Sequence, residues 1–176
     1  MKPPVLIFPG FGNSGPAHWQ SLWQEAHPNF RRVAQRDWDH PVCSEWVATL
    51  EDSVRAAGPN CVIVAHSLAC LAVAHWAAGQ HAPVKAALLV ALPDPAGPEF
   101  PVEAIGFGPV PAQRFTFPST VVISTDDPYG SVAHSTALAQ AWGSQLVDIG
   151  PCGHINADSG LGDWPQGLAL IQPYLD

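Results

Sequence analysis

The sequence predicts an α/β fold in which a mostly parallel sheet of about six strands carries helices on both faces. Short apolar runs alternate with helical patterns along the whole chain, beginning with Val5–Phe8. Several of these runs are apolar throughout, which is typical of strands covered on both faces, and strands that alternate with helices form parallel sheets. No internal repeat or linker interrupts this pattern, so we expect one domain over residues 1–176.

The elements can be placed from periodicity and from the residues that stop them. The predicted strands cover residues 5–8, 30–35, 61–64, 84–92, 120–124 and 145–149. The predicted helices cover residues 16–27, 42–57, 68 to the break at 79–83, 131–142 and 164–175. Gly58 and Gly143 stop two of the helices, and Ser131 suits the N-cap of the fourth. The strand over 30–35 mixes apolar and charged residues and suits a sheet edge.

Composition limits the partners of the chain. The net charge of −8 argues against nucleic acid or an anionic membrane as a partner, because both need a basic surface. No apolar run is long enough to cross a membrane, and the N-terminus lacks the pattern of a signal peptide. The four cysteines form no Cys-x-x-Cys pair and are expected to be reduced thiols in a cytoplasmic protein, although a disulfide is still compatible with the sequence.

Residues 93–119 are the least regular part of the chain. They are rich in proline and glycine and cannot form one long helix or strand. Four aromatic residues in this segment, Phe100, Phe107, Phe115 and Phe117, indicate that it folds over a surface. It either shapes a substrate pocket as a cap over a cleft or is a packed connection.

A strand that feeds directly into a helix places one residue, Ser67, at the bend. This is the geometry of a nucleophile elbow, in which a serine at positive φ projects its hydroxyl above the sheet. The usual pattern is Gly-x-Ser-x-Gly, because strand and helix nearly touch there. This chain has Ala65 and Ala69 at the glycine positions, which crowds the turn. The alternative is a buried strand followed by an ordinary helix with Ser67 as N-cap.

Two further polar features follow other predicted strands. The pair Asp126 and Asp127 comes after the strand at 120–124, and His154 comes after the strand at 145–149. The order serine, acid, histidine is that of Ser-His-Asp hydrolases on a parallel sheet, in which the imidazole activates the hydroxyl and the carboxylate orients the imidazole. Because Asp127 precedes a proline on a tight turn, we favour it as the acid over Asp126. We expect Ser67, Asp127 and His154 to converge.

The glycine-rich loop after the first strand suggests an oxyanion hole. Its donors are expected to be the backbone N–H groups of Phe11 and Leu68, the second directly after the serine. Gly10, Gly12 and Gly15 also match the Gly-x-Gly-x-x-Gly spacing of dinucleotide sites, with an acidic residue near position 37 or 39. No clear apolar strand precedes those acidic residues, so this is the weaker interpretation.

The remaining histidines suggest no cofactor. Strand alternation directs His66 away from Ser67, and His18 could cap a helix or line the mouth of a cleft. No His-Glu-x-x-His or paired Cys/His spacing indicates zinc, and we expect neither a metal nor another cofactor.

Four stretches, taken in order, resemble the retinoblastoma-binding protein 9 / YdeN family of small serine hydrolases. They are Phe8 to Gln20, Ala65 to Cys70, Ser124 to Tyr129 and Gly153 to Pro165. The resemblance implies a compact α/β-hydrolase fold without a large lid, and Ser67, Asp127 and His154 as the triad. Ala65 and Ala69 depart from the family pattern.

The expected function is hydrolysis of a small carboxylic ester or amide through an acyl-enzyme intermediate, most simply as an esterase, with an amidase or peptidase as the variant. The alternative is a binding protein that keeps the fold with weak catalysis. Neither the natural substrate nor the oligomeric state follows from the sequence.

Overall fold

Six strands and five α-helices make up the computed structural model, which describes residues 2–175. The strands are β1 (Val5–Phe8), β2 (Phe30–Arg32), β3 (Val62–His66), β4 (Ala86–Val90), β5 (Ser119–Ile123) and β6 (Gln145–Asp148). The helices are α1 (Trp19–Ala26), α2 (Cys43–Ala57), α3 (Leu68–Ala77), α4 (Val132–Trp142) and α5 (Pro165–Ile171). None of the helices within residues 2–175 combines the length and the apolar character needed to cross a membrane.

All six strands lie parallel in one sheet, in the order β2-β1-β3-β4-β5-β6. This confirms the predicted sheet and the edge position of the second strand, which is shorter than expected. In such a sheet the carboxyl ends of the strands meet along one edge. The loops that follow β1, β3, β5 and β6 therefore gather on the same side of the molecule, and they contain Phe11, Ser67, Asp127 and His154.

The core has two layers because neighbouring residues of each strand face opposite sides of the sheet. Leu6, Phe8 and Ile63 pack with the buried residues of α2 and α3 and with Trp142 of α4. Val5 and Ile7 pack on the other side, with the buried residues of α1 and α5. The strands β1, β3, β4 and β5 are buried along their whole length, including Ser119 and Thr120 at the start of β5 and His66 at the end of β3.

Two helix ends differ from the sequence prediction for local reasons. The first helix begins at Trp19 instead of residue 16, because Nδ1 of His18 accepts a hydrogen bond from the Gln20 N–H and caps the helix. The last helix ends at Ile171, and a 3-10 turn follows over Gln172–Tyr174. Pro173 has no N–H with which to continue the α-helical hydrogen bonds.

The irregular segment 91–118 is the longest stretch without helix or regular strand among residues 2–175, and no large lid is inserted there. Phe107, Phe115 and Phe117 are buried against the α2 and α3 side of the sheet. Phe100 is half-buried and borders a cleft near Ser67. The segment is thus a packed connection over most of its length, and its first part shapes a cleft.

Candidate active site

Ser67 occupies the bend between β3 and α3. Its backbone has φ 56° and ψ −126°, a conformation that only a tightly held non-glycine residue adopts. The Ser67 N–H is held by the Val90 carbonyl oxygen at 2.8 Å. Ala65 and Ala69 are fully buried on either side of the bend. The sharp turn therefore forms with alanine at both of the positions where glycine is usual.

Three side chains that are far apart in sequence form one chain of hydrogen bonds. Oγ of Ser67 lies 2.7 Å from Nε2 of His154. Nδ1 of His154 lies 2.9 and 3.0 Å from the two carboxylate oxygens of Asp127. A carboxylate only accepts, so Nδ1 carries the proton and Nε2 is free to accept the proton of the serine hydroxyl. The loops after β3, β5 and β6 thus bring together the three residues that the sequence nominated.

This hydrogen-bonded group is shielded from water on the acid side. The Asp127 side chain is 3% exposed and the His154 side chain 11% exposed. The Tyr129 ring packs against the imidazole of His154, with 4.4 Å between the ring centroids. The Tyr129 N–H also donates to Oδ1 of Asp127 at 2.9 Å. The residues that follow the carboxylate therefore fix both the acid and the imidazole that it contacts.

Asp126 makes different contacts. Its Oδ1 accepts hydrogen bonds from Oγ of Ser124 at 2.8 Å and from the Gly153 N–H at 2.7 Å. These two bonds hold the pKa of the Asp126 carboxyl below its usual value. Oγ of Ser124 also accepts from the Cys152 N–H at 2.9 Å. Asp126 and Ser124 thus join the acid loop to the histidine loop, while only Asp127 touches the imidazole.

The glycine-rich loop after β1 lies directly against the elbow. A Cβ built on Gly10 would stand 3.2 Å from the Leu68 backbone N and 2.9 Å from the Ser67 Cβ. Phe11 and Leu68, the two residues expected to supply backbone N–H groups, both line the cleft that holds Ser67. The loop after β1 and the start of α3 therefore meet beside Ser67, at the place where the sequence predicts an oxyanion hole.

That cleft has a volume of about 300 Å³. Ser67 and His154 lie on its floor, and Phe11, Glu99, Phe100 and Tyr129 are among the residues that border it. A space of this size suits a small organic substrate. Pro93, Glu99, Phe100 and Pro101 enter the cleft wall from the irregular segment, so the predicted cap applies to this part alone.

Two more histidines lie beside His154. His66 faces the α1 side, as strand alternation predicts, yet it borders the same cleft, and its Nε2 lies 2.9 Å from the backbone oxygen of His154. Burial, reinforced by His154 and His18, keeps the pKa of His66 well below its usual value. Burial, with smaller contributions from Arg32 and His154, lowers the pKa of His18 to about 4. Both imidazoles are therefore neutral near pH 7 and do not compete with His154 as charged groups.

His18 has both of the roles that its sequence position suggested. Its Nδ1 caps α1, and its ring borders the cleft. Since Nδ1 accepts a hydrogen bond, the proton of the neutral ring is on Nε2. Nε2 is buried and has no hydrogen-bond partner among residues 2–175.

The sequence did not reveal how α1 supports the site. Nε2 of the fully buried Gln20 donates to the carbonyl oxygens of Phe8 and Val64, at 3.3 and 3.1 Å, and its Oε1 accepts from Oγ of Ser14 at 2.7 Å. Nε1 of Trp19 donates to the Ile155 carbonyl oxygen at 2.8 Å, next to His154. The only available signal was a polar glutamine on the apolar face of a predicted helix.

The structure does not favour the dinucleotide interpretation of the glycine-rich loop. β2 ends at Arg32, five residues before Asp37, so no acidic residue closes the second strand. Oδ1 of Asp37 instead accepts from the backbone N–H groups of Asp39 and His40. Within the described residues 2–175, no group of three or more His, Cys, Asp or Glu side chains is arranged to hold a metal ion.

Comparisons with known proteins agree with this architecture. A family model described as Serine hydrolase matches residues 5–173. A solved structure from Pectobacterium atrosepticum, described as a YdeN-like hydrolase, is 31% identical, with a TM-score of 0.84 over 97% of this chain and 89% of that chain. No curated protein matches the sequence significantly.

Two less similar structures show the fold alone. The ydeN gene product from B. subtilis is 19% identical, with a TM-score of 0.76, and the match covers 97% of each chain. A thermophilic esterase from Thermogutta terrifontis is 16% identical, with a TM-score of 0.67, and the match covers 98% of this chain and 90% of that chain. These likenesses confirm the α/β-hydrolase fold that the sequence predicted.

Proposed function

Because this chain belongs to the YdeN-like serine hydrolase family, we propose that it hydrolyses a small carboxylic ester or amide through Ser67, His154 and Asp127. The observation that supports this proposal most directly is the unbroken hydrogen-bond chain from the Ser67 hydroxyl through His154 to Asp127. A serine hydroxyl is a weak nucleophile near neutral pH and needs a base in contact with it. Here the contact exists before substrate binds.

In the proposed acylation step, Oγ of Ser67 forms a bond to the carbonyl carbon of the substrate while Nε2 of His154 takes the hydroxyl proton. The tetrahedral intermediate then collapses, and the bond from the carbonyl carbon to the alcohol oxygen or amine nitrogen breaks. The leaving group receives the proton from His154, which leaves an acyl-enzyme. Water repeats the sequence, releases the acid and restores the Ser67 hydroxyl.

Asp127 is proposed to keep the His154 proton on Nδ1 and to stabilise the imidazolium that forms in each step. The negative charge on the substrate oxygen is proposed to be held by the backbone N–H groups of Phe11 and Leu68. One donor of this kind contributes roughly 3 kcal/mol to transition-state stabilisation. The closeness of the Gly10 loop to the Leu68 N supports a two-donor arrangement.

Of the two proposed substrate classes, ester and amide, we favour the ester. The open cleft and the absence of a large lid within residues 2–175 leave the elbow accessible to small molecules. The fold likeness to an enzyme described as a thermophilic esterase is in keeping with this choice. A small molecule is therefore the proposed partner, and the proposed location is the cytoplasm, in keeping with four free cysteines.

A fluorophosphonate probe, which phosphonylates activated serines, tests the proposal. The purified protein should be labelled and should hydrolyse a p-nitrophenyl ester. Ser67→Ala should abolish both reactions, and the matched variant Ser53→Ala, in α2, should keep both. If the folded protein is not labelled and cleaves no ester or amide, the alternative of a catalytically weak binding protein replaces the hydrolase.

A further inference from the structure

We propose that the substrate carries a positively charged amine or quaternary ammonium group, and that Glu99 and the aromatic rings that border the same cleft bind this group. The inference rests on the proposed function, since it concerns the substrate of the cleft beside Ser67. The proposed substrate class is a small cationic ester or amide, and Glu99 is the residue that selects it.

The charges in the cleft wall favour a cation. Glu99 is the one carboxylate among the described residues that border the cleft, and none of those residues is lysine or arginine. His18 and His66 also border the cleft, and burial keeps both neutral, because it lowers their pKa values. A bound ligand therefore meets a negative side chain at the rim with no positive side chain in the wall to neutralise it.

Glu99 is also free to act on a ligand. Its side chain is exposed, and within residues 2–175 it has neither a salt bridge nor a hydrogen bond. Arg32 lies close enough to His18 to lower the pKa of that imidazole. Its guanidinium is already hydrogen-bonded to other residues and forms no ion pair with Glu99. Its four partners are Gln24, Asn13, Ser14 and Ser21.

The aromatic residues at the same rim supply the second part of a cation site. Phe11 is 39% exposed and Tyr129 37% exposed, and both border the cleft together with the half-buried Phe100. Most other aromatic side chains are buried or packed against the core. The face of an aromatic ring carries negative potential and attracts ammonium groups, and quaternary ammonium ligands are commonly held by such rings.

These features predict that the cleft prefers cationic substrates to neutral ones, and neutral substrates to anionic ones. A cationic substrate gains from both the carboxylate and the rings, and a neutral substrate of the same shape gains only from apolar contact. An anionic substrate is repelled by Glu99 and gains nothing from the ring faces. The long-range part of this preference should weaken as salt is added, because Glu99 is exposed to solvent.

The test compares two esters of one acid, a choline ester and the 3,3-dimethylbutyl ester, in which carbon replaces the charged nitrogen. In the wild type, kcat/KM for the choline ester should exceed that for the neutral ester by about fivefold or more. Glu99→Gln should reduce this ratio by about threefold or more. Glu103→Gln removes an exposed carboxylate from the same segment, outside the cleft, and should leave the ratio unchanged.

Equal kcat/KM values for the two esters in the wild type would overturn the inference, as would an unchanged ratio in Glu99→Gln. A second readout needs no turnover of either ester. Tetramethylammonium should slow fluorophosphonate labelling of Ser67 more than tert-butanol does, and this difference should shrink in Glu99→Gln. If Ser67 is labelled and both esters are cleaved equally, only the charge preference fails. If Ser67 is not labelled and neither ester is cleaved, the proposed function itself fails.

Discussion

Gly10 and Ser67 are in such close contact that a β-carbon on residue 10 would lie 2.9 Å from the Cβ of the serine. The same atom would lie 2.9 Å from the carbonyl oxygen of His66. Contacts this short are not tolerated by a real β-carbon, and one of the two neighbours is backbone. The first loop of the chain therefore rests directly on the bend that carries the candidate nucleophile.

We expect Gly10→Ala to lower kcat for an ester by about 100-fold, because the loop must retreat from the elbow and carry the Phe11 N–H with it. Gly15→Ala is the matched control, since nothing lies within 4 Å of a Cβ at that position. Steady-state kinetics and a thermal melt of both variants provide the measurement. Wild-type kcat in a folded Gly10→Ala protein would contradict the proposed oxyanion hole.

Asp127→Asn should lower kcat/KM by about 10³- to 10⁴-fold, because an amide cannot keep the His154 tautomer and stabilise the imidazolium. Asp126→Asn should lower kcat/KM by only about tenfold, because an amide oxygen can still accept hydrogen bonds from Ser124 and Gly153. Both variants are assayed on the same ester under the same conditions. A larger loss at position 126 would reverse the assignment of the acid.

His18 should make the folded protein less stable at acidic pH. Its pKa is about 4 in the folded protein, below the ordinary value of 6.5, so the unfolded chain binds the proton more readily. Stability is then lost as the pH falls from 6.5 through 4, and His18 alone accounts for about 2 kcal/mol between about pH 7.5 and about pH 5.

Urea unfolding at those two pH values measures this loss. His18→Asn keeps a side-chain cap for α1 and should lose about 2 kcal/mol less than the wild type between the two conditions. His40→Asn, at an exposed loop position, serves as the control and should retain the wild-type dependence. An equal loss in His18→Asn and the wild type would show that His18 is not the group responsible.

Ala69→Gly restores the usual glycine of the elbow but places it in α3. We expect the free energy of unfolding to fall by about 1 kcal/mol, since glycine weakens a helix. We expect kcat to stay within about threefold of the wild type, because the bend already forms with alanine. Ala74→Gly, in the same helix, is the control and should lower the free energy of unfolding by a similar amount. A tenfold rise in kcat in Ala69→Gly alone would show that the alanine restrains the serine.

Much of this fold is readable from the sequence because its signals are local. All six strands were found, with ends that shift by a few residues, and the buried ones among them are rich in apolar residues. The bend at Ser67 was also visible, because a strand meets a helix there without an intervening loop. Pro173, inside the C-terminal 3-10 turn, is a stop signal that the predicted helix over 164–175 ran through.

Contacts between distant segments were not readable in the same way. Nothing near Trp19 in the sequence indicates that its indole N–H binds the Ile155 carbonyl oxygen. The neighbours Asp126 and Asp127 differ by one step along a turn, and only the three-dimensional path of the loop shows which one reaches His154. The catalytic role of Asp127 is still a prediction, although the contact exists.

The irregular segment 91–118 contributes no strand to the sheet, yet it carries Glu99 and Phe100 to the rim of the cleft. The proposed nucleophile, acid and base come from other loops. Exchanging Glu99 or Phe100 would therefore alter the wall of the cleft without replacing Ser67, Asp127 or His154. Protein engineers seeking new selectivity should begin their libraries in this segment.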